Sequence, residues 1–109
     1  MTLRLYMAQR ISALVMAPLV VMHIVVMIYA IQGGLSAAEI LGRTRGSVVW
    51  FVLYGAFVVA VAIHGAIGLR TVLSEWAGLR GRMLDAVAWA ILAMLLILGM
   101  QAVYGVTAT

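Results

Sequence analysis

Two histidines stand inside long apolar runs, His23 within residues 11–31 and His64 within residues 48–69, and neither run holds a charged residue. An imidazole nitrogen can accept a hydrogen bond, carry a proton near neutral pH or ligate a metal. Surrounded by aliphatic side chains, it is costly unless one of those capacities is used. The other chemically capable residues gather at the ends of the runs. Arg10 and Ser12 open the first, and Arg70, Glu75 and Trp76 close the second. Cysteine is absent, which removes disulfides, thiolate ligation and iron–sulfur ligation, so any metal is held by nitrogen or oxygen.

Gly68 follows His64 by one helical turn on nearly the same face, where a broad flat group can approach the backbone. Axial ligation of a haem makes those two demands, a nitrogen that reaches iron and clearance for the macrocycle. Thr71 and Glu75 continue that face. A second reading is a neutral histidine bonded to a helix carbonyl, with glycines that serve close helix packing. For His23, Ser12 and Met16 share its face and no glycine is near. On the residues alone, ligand and structural readings stand side by side for both histidines. Depth separates the rings. His23 lies thirteen residues beyond Arg10, and His64 six residues before Arg70. At ~1.5 Å per residue these are ~20 Å and ~9 Å from one boundary, leaving the rings ~10 Å apart along the membrane normal. They are not placed to share an iron; if both bind haem, each needs a partner histidine from another chain.

The elements that must position these residues follow from hydropathy. Residues 86–106 form a third run in which Gln101 is the strongly polar side chain. Each run of about 20 residues spans a hydrocarbon core of roughly 30 Å. With 109 residues, 67% hydrophobic and 9% charged, the chain has no room for a soluble domain. The expectation is an all-α, integral membrane bundle of three transmembrane helices over residues 11–32, 48–76 and 84–104, one domain covering 1–109. The first run is longer than the ~7–15 residues of a signal peptide, so it reads as an uncleaved span. Residues 1–10 read as a short interfacial segment with Tyr6 as a head-group anchor. Pro18 is tolerated inside the first span, and Gly33-Gly34 ends it. Ser36-Ala37-Ala38-Glu39 reads as a capping box that opens a single turn closed by Gly42. Gly78 and Gly81 mark the second connection.

All seven positive side chains are arginines, and the net charge is +4. They flank the apolar runs, so lipid head groups and topology explain them and nucleic-acid binding is excluded. Arg4, Arg10, Arg70, Arg80 and Arg82 share one side, against Arg43 and Arg45 on the other. The positive-inside rule puts the N-terminus and second connection in the cytoplasm.

Gln9-Arg10-Ile11-Ser12, then His64-x-x-x-Gly68-Leu69-Arg70 and Ser74-Glu75-Trp76, in this order and spacing, resemble the small membrane-anchor (cytochrome b) subunits of succinate dehydrogenase and fumarate reductase. The likeness covers nearly the whole chain. The first element is similar to the family's His-Arg-x-Ser-Gly pattern, with Gln9 for histidine and Ala13 for glycine. The second, with His64, Gly68 and Arg70, is similar to its haem-ligand motif. The resemblance implies that His64 is an axial ligand of haem b and that His23, eleven residues after Ser12, is a first-helix ligand of a second haem. It also implies that Arg10, Ser12 and Trp76 border a quinone pocket. Glu75-Trp76 stands where members often have Asp-Tyr, so an indole replaces a phenol.

The reading is a haem b-binding anchor subunit, not catalytic alone, of a succinate:quinone oxidoreductase-type complex of the tricarboxylic acid cycle. One or two haems would be shared with a partner chain, and quinone would be the substrate. The partners implied are an iron–sulfur subunit, a flavoprotein subunit, a second anchor chain, identical or different, and the lipid bilayer. The bacterial cytoplasmic membrane is expected in preference to the mitochondrial inner membrane. A haem-free anchor of the same complex is the alternative. A transporter-like oligomer lacks support, because no span carries an acid at its middle.

Overall fold

A computed structural model describes residues 2–108. Among the described residues there are four α-helices and no strand: α1 (Leu3–Gln32), α2 (Ala37–Thr44), α3 (Val48–Trp76) and α4 (Gly81–Thr107). The fold is all-α, and α1, α3 and α4 are long and apolar enough to cross a membrane. The molecule is 47 Å long, so the helices extend past a hydrocarbon core of roughly 30 Å into the head-group layers.

α1 starts earlier than the apolar run. The Thr2 side chain caps it, accepting the Leu5 N–H at 3.3 Å. Residues 3–10 are therefore the first turns of α1, not a separate interfacial segment. They hold no glycine or proline, and a helix nucleated in the apolar run propagates through such residues at little cost. Pro18 lies inside α1 without ending it. The end falls where glycine allows it. Gly34 takes φ +97°, and the Leu35 N–H then reaches back to the Ala30 carbonyl at 3.0 Å.

α2 is the larger departure from expectation, since it runs straight through Gly42. Half of the capping box forms, with Ser36 Oγ accepting the Glu39 N–H at 3.0 Å. The Glu39 carboxylate turns forward instead of back and accepts from Arg43 Nη1 at 3.1 Å. The helix is held past Gly42 from outside. Thr44, 2% exposed, sets its hydroxyl 2.6 Å from the Val106 carbonyl, and the Gly46 N–H donates to the Thr107 carbonyl at 2.7 Å. Both acceptors lie in the last turn of α4, where helical carbonyls lack partners of their own.

α3 is the central element, with α1 and α4 packed on it and barely meeting one another. Its buried positions are Ala60, Ala62, Ala66 and Ile67, mostly small residues that let helix backbones come close. The tightest point is Gly99 of α4, where a Cβ would come within 2.5 Å of Val58 Cγ1. Ser12, Thr44 and Thr107 are the buried polar residues, and each hydroxyl donates to a helix carbonyl.

Candidate functional site

His64 lies on α3 just before two glycines, Gly65 and Gly68, that face different neighbours. A Cβ on Gly65 would touch Leu95 of α4 at 3.4 Å, and one on Gly68 would stand 3.6 Å from Gln9 Nε2 of α1. The space above Gly68 is thus partly taken by the Gln9 amide rather than left open. His64 is half-buried. Its Nδ1 is sealed from solvent and has no hydrogen-bond partner among the described residues, and the same holds for Gln9 Oε1. Ser12, one turn beyond Gln9, is 5% exposed and donates to the Gln9 carbonyl at 3.0 Å.

His23 occupies a different level. Its ring packs on Phe57 at 5.3 Å and meets Tyr54 edge-on at 6.3 Å. Those α3 residues precede His64 by seven and ten positions, roughly 10–15 Å along the helix axis. His23 is on the exposed side of α1 and lines a cavity of about 390 Å³ between α1, α3 and α4, closed at one end by α2. Val26, Met27, Phe57, Val58 and Val103 make this cavity apolar, while Arg43 and Thr44 stand at its α2 end. Neither histidine side chain forms a hydrogen bond to a described residue. No cluster of three or more histidine or acidic side chains gathers among the described residues. Each histidine offers one nitrogen alone.

The remaining candidates are dispersed. Arg70 lies six residues from His64, about 120° round α3. It pairs with Asp85 of α4 at 3.0 Å on the wall of a separate cavity of about 400 Å³ that also touches Leu5 and Trp89. Ser12 borders a third cavity, of about 440 Å³, with Gly55, Ala56 and Ile63. Arg10 points outward over the Tyr6 ring at 5.5 Å, and Trp76 is 84% exposed at the end of α3. The chain gathers Gln9, Ser12, His64 and Gly68 near one end of the α1–α3 seam. It does not bring Arg10, Ser12, Arg70 and Trp76 into one pocket.

Four residues gain weight from the structure. Gln9 stands three positions before Ser12 on the buried face, a spacing visible in the sequence. Glu39 and Arg43 form an i,i+4 pair, equally visible, but the place of Arg43 in a cavity wall depends on how α2 folds back. Asp85 becomes legible only through its partner.

The family model of the succinate dehydrogenase/fumarate reductase transmembrane subunit matches residues 1–102. The chain belongs to that family and is a membrane subunit of this kind of complex. Neither a curated protein nor a solved structure matches it.

Proposed function

We propose that the chain is the haem b-binding anchor of a succinate:quinone oxidoreductase-type complex and contributes to its quinone site. The observation that carries this reading is His64, a histidine at membrane depth with a sealed nitrogen that has no partner among the described residues and with glycines one and four positions after it. Such a residue fits a haem in donor type, and its single nitrogen calls for a second axial histidine from a partner anchor. His23, free of hydrogen bonds and flanked by Phe57 and Tyr54, fits a second haem at a deeper level. Bound at these positions, haem supplies one-electron transfer between the iron–sulfur subunit and quinone. Arg10, Ser12 and Trp76 are the quinone-facing groups, with guanidinium and indole available to hold carbonyl oxygens and the Ser12 hydroxyl able to join them only by leaving the Gln9 carbonyl. Because they do not meet within this chain, partner subunits complete that pocket. We place the N-terminus and second connection on the cytoplasmic side of a bacterial membrane, with the flavoprotein and iron–sulfur subunits docked there.

The test is a reduced-minus-oxidised spectrum and redox titration of the purified complex, beside the identity of the co-purifying subunits. Haem b bands with flavoprotein and iron–sulfur subunits support the reading. Those subunits without haem bands leave a haem-free anchor instead.

A further inference from the structure

We propose that Arg43, carried by α2, is the carboxylate anchor of the ligand held by His23, receiving a haem propionate at the far end of their shared cavity. This rests on the proposal that His23 ligates a haem. Arg43 and His23 line one cavity whose other walls are almost entirely aliphatic and aromatic. A planar apolar body with an acidic edge matches that distribution of surface.

The state of Arg43 points to a missing acceptor. Its side chain is 19% exposed, Nη1 donates to Glu39 Oε1 at 3.1 Å, and its guanidinium lies over the Tyr29 ring at 5.0 Å. Nε is sealed from solvent with no partner, and so is Glu39 Oε2. An ion pair in an apolar wall loses much of its hydration, and it is stabilising only when the remaining donors are satisfied. A carboxylate binds a guanidinium best across two neighbouring N–H groups. With Nη1 committed to Glu39, the edge bearing Nε is left for a second carboxylate.

The remaining geometry agrees. Tyr29, under the guanidinium, is six residues beyond His23, about 9 Å along α1, the scale on which a macrocycle's acidic edge stands off from its iron. Glu39 is fixed from behind, its Cδ occupying the space within 2.8 Å of where a Gly33 Cβ would lie. Arg43 is thereby held between one internal carboxylate and one supplied by the ligand.

The charge arrangement predicts opposite effects on the electron equilibrium of that haem. A guanidinium at the propionate favours the reduced form, and the Glu39 carboxylate opposes it. The experiment is a redox titration of haem b absorbance in the purified complex, with His23→Ala identifying the component that belongs to His23. Arg43→Gln should shift the reduction equilibrium of that component alone about tenfold toward the oxidised form, ~59 mV for one electron. Arg43→Lys should restore most of it, and Glu39→Gln should shift it the other way. A packing role for Arg43 would not give shifts that follow the sign of the charge. An unchanged midpoint in both Arg43→Gln and Glu39→Gln, or shifts of one sign, overturns the inference while leaving His23 a ligand. Retention of every haem component in His23→Ala overturns it together with the reading beneath it. Should Arg43→Gln fail to assemble, the sign of the Glu39→Gln shift decides.

Discussion

His64 and His23 differ in what replaces them. His64 is half-buried on the central helix, so His64→Ala leaves a gap among packed helices and, on the proposed reading, an unligated haem. The expected outcome is loss of one haem component with lower yield of assembled complex, measured by haem-to-protein ratio. His23 is on the exposed side of α1, so His23→Ala should remove a different component and leave assembly near normal. Arg10 points away from the helix packing, and Arg10→Leu should lower quinone reduction at least severalfold while dye-linked succinate oxidation is unchanged. Equal loss of both activities would assign Arg10 to docking of the soluble subunits instead. The two histidines were legible from sequence because an imidazole in an uncharged run has few ways to be satisfied. Glu39 and Arg43 were not, because a surface ion pair and a cavity wall look alike until α2 is placed. Arg10, Ser12, Arg70 and Trp76 do not meet within this chain, for a geometric reason: residues at one depth still point to different sides of their helices, and Arg70 finds Asp85.

At the level of elements, run length gave the number of spans and glycine the ends of α1 and α3, but the starts of α1 and α4 and the end of α4 escaped. α1 and α4 continue past their apolar runs, since hydrogen bonding along a helix does not stop at the hydrocarbon boundary. α2 was underestimated because its support comes from α4, 62 residues further on. Thr44→Val leaves the Val106 carbonyl without this donor and should weaken seating of α2 by about 1–3 kcal/mol. Faster hydrogen exchange or proteolysis across residues 36–47, with α3 unaffected, is the readout. The α3–α4 contact is set by Gly99, where any side chain meets Val58. Gly99→Ala should destabilise by about 1–3 kcal/mol, and Val58→Ala in the same chain should recover much of the loss. Thermal denaturation of the purified complex measures both.

Across the whole molecule, each spanning helix keeps most of its surface outside the chain. Only 6–11% of the most apolar window in each helix is buried. Lipid can cover such surface, yet Trp89 at 69% exposure and the unpaired faces of α1 and α4 also suit partner helices. The proposed orientation makes Ser47, before α3, external and Gly78, after it, internal. Cysteines placed there should react with an impermeant thiol reagent in right-side-out vesicles at Ser47→Cys and stay protected at Gly78→Cys. The reverse pattern would invert the topology and, with it, the docking side.

The tie between α2 and α4 also orders events during synthesis. Its acceptor on Val106 lies 62 residues after Thr44, so α2 is synthesised well before its partner in α4. While the ribosome still holds α4, α2 has only its own capping bond and the Glu39–Arg43 pair, and the mouth beside His23 stays ajar. α2 therefore seats on the end of the bundle only once α4 has inserted, and any ligand of the cavity beside His23 has its easiest entry before that contact forms.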